Sequence, residues 1–145
     1  LDSLSQPDDR LWPIATWPAM RFDRPLQVGA IGGHGPIRYT VESYVPGQAV
    51  SFRFTAPAGF NGTHSLLVGL APSGSRISHD LRMATTGKAT LSWLFIFRPL
   101  HDALVEDALH RAALACGAQE PPPQWSSWVR ILRALLGSRK HPHAT

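Results

Sequence analysis

A single cysteine, Cys116, is all the thiol chemistry in this chain. It has no partner for an internal disulfide and sits in an apolar, helix-like segment, so a reducing, cytoplasmic setting is expected. Charge is also scarce. Charged residues make up 17% of the 145 residues, against roughly 25% in an average globular chain. Apolar residues reach 43%, which excludes a disordered polyelectrolyte and predicts one domain with much interior. The net charge of +4 gives a weak attraction for anions at most. No run of Lys and Arg is interleaved with aromatics, which argues against nucleic-acid binding. The longest apolar run, Leu91 to Phe97, is interrupted by Ser92 and far too short to span a bilayer. No signal peptide is visible, and the opening Leu-Asp-Ser-Leu-Ser is expected to follow a trimmed N-terminus.

The usual catalytic and cofactor signatures are missing as well. The seven histidines lack His-Glu-x-x-His spacing, and one cysteine cannot complete a zinc site, so no metal is expected. His141 and His143 are incidental tail residues on this reading. There is no Gly-x-Ser-x-Gly elbow. Gly29, Gly32, Gly33 and Gly35 do not spell the dinucleotide fingerprint and read as hairpin glycines. Thr86-Gly-Lys-Ala-Thr lacks the upstream glycine of a phosphate loop. No cofactor is expected.

What the chain does have is alternation. Ile37, Tyr39, Val41, Ser43 and Val45 share one parity, as do Val50, Phe52 and Phe54; His64, Leu66, Val68 and Leu70; and Ile77, His79, Leu81 and Met83. Successive strand side chains point to opposite faces, so each set lines one face of a sheet. Arg38, Thr40, Glu42, Ser51, Arg53, Ser78, Asp80 and Arg82 fall on the other, wet face. A shorter strand is expected at Leu26–Ile31, followed by a turn at Gly32-Gly33-His34-Gly35-Pro36. Pro46-Gly47, Pro57-Ala-Gly59 and Pro72-Ser-Gly74 supply the remaining turns of an antiparallel meander. Upstream, Leu1–Ser5 reads as the end of a helix and Ser5-Gln-Pro-Asp-Asp as the start of a short second one.

The period then changes. Phe97, Leu100, Leu104, Ala108, Ala112 and Ala115 recur at helical spacing within a helix expected from about Leu91 to Cys116. Gly117 fits its C-terminal cap, and Pro99 predicts a kink or a delayed start. After the stiff Gln119-Glu-Pro-Pro-Pro, residues Trp125, Trp128, Val129, Leu132, Leu135 and Leu136 form an amphipathic stripe, with Arg130 and Arg133 off it and Gly137 ending it. The expected organisation is a domain over 1–118, a Pro-rich linker over 119–124, an amphipathic helix over 125–138 and a disordered tail over 139–145.

Four stretches carry a resemblance: Trp17-Pro-Ala-Met-Arg-Phe-Asp-Arg-Pro-Leu-Gln-Val-Gly-Ala; Gly35-Pro-Ile-Arg-Tyr-Thr-Val-Glu-Ser-Tyr-Val-Pro-Gly; Gly62-Thr-His with His79; and Phe97-Arg-Pro-Leu-His-Asp-Ala-Leu-Val-Glu-Asp-Ala-Leu. Over residues 1–117 the chain resembles bacterial START-like (SRPBCC) proteins of an uncharacterised branch. That superfamily includes polyketide cyclases, Bet v 1-type allergens and lipid-transfer domains. The resemblance implies an α+β helix-grip fold, a curved antiparallel sheet wrapped on a long C-terminal helix. It implies a cavity between them, open at one end, for a hydrophobic or amphipathic small molecule. The usual first strand, which closes the sheet beside the long helix, is apparently missing here, leaving an open edge.

Parity puts Tyr39, Ser43, Phe52, Phe54, His64, Leu66, His79, Leu81 and Met83 on the cavity wall, with Phe97, His101 and Leu104 facing them from the helix. A buried polar group without a partner costs roughly 1–3 kcal/mol, so two inward histidines call for an explanation. They complete the core by bonding each other, Tyr39, Ser43 or water; or they orient the polar end of a guest; or one of them, His79, is a general base in a cyclase-like reaction. Ser78-His79-Asp80 is no triad, because its flanking residues point to the opposite face. Glu42 and Asp80 both face outward, and the lack of an inward carboxylate favours binding over catalysis. His101-Asp102 reads as a solvated or pocket-mouth pair, unless His101 faces the cavity one turn from Leu104. The terminal stripe, through Trp125, Trp128, Leu132 and Leu135, packs on the domain or a twin subunit, or touches an anionic membrane surface.

Overall fold

Alternation in residues 37–85 produces the expected meander. The computed structural model describes residues 1–72 and 74–137. Six antiparallel strands follow one another in space as in sequence: β1 (Arg21–Phe22), β2 (Ile31–His34), β3 (Ile37–Val45), β4 (Ala49–Ala56), β5 (Phe60–Ala71) and β6 (Gly74–Thr85). The inward parity buries Tyr39, Val41, Val50, Phe52, His64 and Leu66. On the outer face Glu42 pairs with Arg53 and Asp80 with Arg82. Strand β6 pairs with β5 alone, so among the described residues its outer edge has no strand partner.

Three departures come from local backbone chemistry. The strand expected at Leu26–Ile31 lies later, at Ile31–His34. The Gly32-Gly33 pair read as a turn is strand because the chain passes too closely for side chains. A Cβ on Gly33, where φ is +156°, would lie 2.0 Å from the Ile37 carbonyl oxygen, and one on Gly32 would lie 2.2 Å from that of Arg21. Second, a bulge between Val41 and Ser43 shifts the register, so that Tyr44 faces Val50. Ser43 and Val45 are therefore exposed rather than inward. Third, residues 1–20 form no helix. The Asp9 carboxylate accepts from the backbone N–H groups of Ser5, Leu11 and Trp12 at 2.8–2.9 Å, which holds the segment in turns. That segment nevertheless buries Leu4, Leu11, Trp12, Trp17 and Met20. At the far end, Leu70 is 97% exposed despite its inward parity, because the β5–β6 hairpin runs past the core. The turn expected at 72–74 includes Ser73, which lies outside the described residues.

Residues 88–115 run as one helix: α1 (Lys88–Ser92), a π-helical turn (Trp93–Phe97) and α2 (Arg98–Ala115). The start is not delayed by Pro99. Instead the turn before it widens, with the Arg98 N–H donating five residues back to Trp93. Proline has no N–H for the Phe95 carbonyl. The indole Nε1 of Trp128 donates to that oxygen at 2.8 Å. At the other end Gly117, with φ at +89°, donates to Leu114 and Ala118 to Ala113, the paired bonds of a Schellman cap.

The last helix, α3 (Ser127–Gly137), buries Val129 and Leu132 against the domain. Leu132 is therefore unavailable for the membrane or twin-subunit contact. Trp128, Leu135 and Leu136 remain exposed. Arg133, expected off the stripe, lies over the rings of Trp17 and Trp125, 4.2 and 4.6 Å from their centroids. Both indoles donate to one carboxylate oxygen of Asp107, at 2.6 and 3.0 Å. This clasp joins the N-terminal segment, α2 and the segment before α3. The expected tail at 139–145, with His141 and His143, lies outside the described residues. Among those described, no helix is long and apolar enough to cross a membrane.

Candidate functional site

His64 is the centre of the site. Strand β5 points it inward opposite Phe52 of β4 and Leu81 of β6. Its ring is stacked between Phe52 and Phe54, at 4.9 and 5.0 Å between centroids, and Tyr39 lies 5.0 Å away. On β6, His79 brings Nε2 to 3.4 Å from His64 Nδ1. His101, from α2, packs its ring 4.9 Å from that of His79 and 5.7 Å from Trp93. Its Nδ1 is 3.0 Å from the Asp102 carboxylate. A fourth histidine completes the group. His34, at the end of β2, lies against Trp12 at 4.8 Å and Tyr39 at 5.9 Å.

These four imidazoles line a cavity of about 40 Å³ between sheet and helix. Apolar side chains make up the rest of the lining: Leu11, Trp12 and Met20 from the N-terminal segment, Phe52 and Leu66 from the sheet, and Leu104, Val105, Ala108 and Leu109 from α2. Neither a carboxylate nor a Lys or Arg lines it. Burial therefore disfavours the charged forms of His34, His64 and His79. It pushes His34 down to about 4, helped by His101 and Arg38. It pushes His79 down to about 4 as well, against the opposing pull of Asp80 and Asp102. His64 is driven well below the ordinary range, first by burial and then by repulsion from His79 and His101. The Tyr39 phenol is driven up by burial. Among the described residues, three buried polar atoms here have no hydrogen-bond partner: Tyr39 Oη, His64 Nε2 and His101 Nε2.

A larger space adjoins this cavity. A groove of about 750 Å³ runs between the tips of β5 and β6, the C-terminal half of α2, the N-terminal segment and the Pro-rich stretch. Val68, Ile77, Leu109, Ala112 and Pro121 are among its apolar walls, and Arg10, Glu106, His110 and Glu120 are its charged or titratable groups. Leu11 and Leu109 line both spaces, so the groove and the cavity are neighbours across these two side chains.

Of the residues expected on the wall, Phe52, His64, Leu66, His79, His101 and Leu104 come together around the cavity. Tyr39 and Phe54 pack behind His64. Phe97 packs on Phe60 at 5.2 Å, and Met83 packs against the same core, neither of them lining the cavity or the groove. Leu81 is half-buried and also lines neither, and Ser43 faces solvent. His34, Trp12, Leu11 and Leu109 were missed. His34 was hidden by the glycines before it, and the N-terminal segment has no periodicity to read. Among the described residues, no three His, Cys, Asp or Glu groups are disposed to hold a metal ion.

No protein-family model matches the chain, and no curated protein matches it. Among solved structures it is similar to CalU16 from Micromonospora echinospora, with a TM-score of 0.52 and 14% identity, over 95% of this chain and 77% of that one. The likeness is one of fold, and it agrees with the α+β helix-grip architecture.

Proposed function

We propose that the protein binds a hydrophobic or amphipathic small molecule, as a carrier or sensor-like module of the START-like superfamily. The observation that carries this reading is the groove of about 750 Å³ between sheet and α2, apolar along most of its wall. Its size falls within the roughly 300–1,000 Å³ of small-molecule pockets. The helix-grip likeness supports the same reading. Catalysis is the weaker alternative. His79, the candidate base, faces the His64 ring nitrogen, and no carboxylate lines the cavity. The reading places the protein in the cytoplasm, where the exposed Cys116 stays a free thiol.

Titration with the uncharged fluorescent probe N-phenyl-1-naphthylamine tests it. Saturable one-to-one binding is expected, lost when Ala113→Trp fills the groove while circular dichroism stays unchanged. Absence of saturable binding, or binding indifferent to Ala113→Trp, overturns the reading.

A further inference from the structure

Among the described residues, three buried polar atoms around His64 have no hydrogen-bond partner. Two of them, His64 Nε2 and His101 Nε2, belong to side chains that line the inner cavity. His64 itself is only 9% exposed. What could satisfy them is constrained by the cavity's size, its charge and the direction of its hydrogen bonds.

Size comes first. On the same measure as the cavity, one water needs roughly 10–15 Å³. The cavity of about 40 Å³ therefore admits one small polar group and not the body of a ligand. Charge comes second. With no Lys or Arg on the wall, a carboxylate or phosphate would enter without a counter-ion. With no carboxylate on the wall, an ammonium would do the same. Burial also holds His34, His64 and His79 toward their neutral forms, so they supply no positive charge.

Hydrogen-bond direction comes third. A carboxylate can only accept, so His101 Nδ1 donates to Asp102. When Nδ1 carries the ring's one hydrogen, His101 Nε2 is a lone pair that needs a donor. His64 shares one hydrogen with His79 between Nδ1 and Nε2. When His79 donates, His64 Nε2 carries its own hydrogen and needs an acceptor. A ketone or ether could answer only His64. A hydroxyl donates and accepts, so it answers both.

Resting on the binding reading above, we infer that the four-histidine cavity recognises a single uncharged hydroxyl, alcoholic or phenolic, at the end of an otherwise apolar ligand lying in the groove. The hydroxyl would reach the cavity past Leu11 and Leu109, the two residues that line both spaces.

Displacement of N-phenyl-1-naphthylamine by three compounds of one scaffold tests the inference: 4-hexylphenol, hexylbenzene and 4-hexylbenzoate. The phenol is expected to bind at least tenfold more tightly than hexylbenzene, and the benzoate more weakly than the phenol. His64→Phe and His101→Phe should each lower the ratio of phenol affinity to hexylbenzene affinity severalfold. His101→Gln, which keeps an acceptor, should restore part of it. Equal affinity for phenol and hexylbenzene, or tightest binding of the benzoate, overturns the hydroxyl assignment while the groove reading stands. Failure of the dye and all three compounds to bind overturns both.

Discussion

Mild acid should destabilise this protein through its buried histidines. The perturbation is a fall from pH 7 to pH 5. His34 and His79 are each pushed down to about 4 by burial, whereas an exposed histidine titrates near 6.5. The unfolded chain therefore binds more protons than the folded one between about pH 4 and 6.5, and stability falls as pH drops through that window. For one site with these two values the loss between pH 7 and pH 5 is about 1.8 kcal/mol. His34 and His79 together reach about 3.5 kcal/mol, less whatever solvent near the half-buried His79 screens away. His64, which burial also drives well below the ordinary range, adds to the loss. Asp2 and Asp23 do not blur the test. The Gly47 N–H holds Asp2, and the Arg24 guanidinium holds Asp23, below the ordinary carboxylate range, and hence below the window. Since a small domain has only about 5–15 kcal/mol in hand, the effect is large. Urea unfolding followed by tryptophan fluorescence at pH 7, 6 and 5 measures it. Replacing His34 by Phe should flatten the slope by about one proton. An unfolding free energy at pH 5 within about 0.5 kcal/mol of its pH 7 value would refute the placement of these histidines in a desolvated site.

Two further perturbations test the packing that frames the site. Asp107→Ala removes the one carboxylate oxygen shared by Trp17 and Trp125. It should cost about 3 kcal/mol in urea unfolding, because the nearly buried Trp17 indole loses a charged acceptor, and Asp107→Asn should recover part of it. Trp128→Phe removes the donor that answers the Phe95 carbonyl left free by Pro99. A loss of about 1 kcal/mol is expected, and it should largely disappear in a background where Pro99→Ala restores a backbone donor.

The parity of residues 37–41, 50–54, 64–66 and 77–83 was legible because a half-buried antiparallel strand writes its two faces into alternate positions. The same rule failed past Val41, since a bulge adds one residue and inverts everything after it. Nothing in Val41-Glu-Ser-Tyr distinguishes a bulged strand from a regular one. His34 was lost for a different reason. Glycines serve turns and close strand approach alike, and only the proximity of the Ile37 carbonyl oxygen to Gly33 decides between them. The N-terminal segment follows neither period, because the Asp9 carboxylate orders it rather than a helix or a ladder.

Sequence alone determined the meander, the helix closed by Gly117, and the inward direction of His64 and His79, because periodicity and turn chemistry are local. Tertiary structure decided how these elements meet. It brought His34 and His101 to the same cavity, displaced the larger space to the groove beyond Leu11 and Leu109, and set Trp128 on the carbonyl that Pro99 leaves free. Those outcomes depend on distances between segments far apart in the chain, to which an alternating or helical pattern is blind.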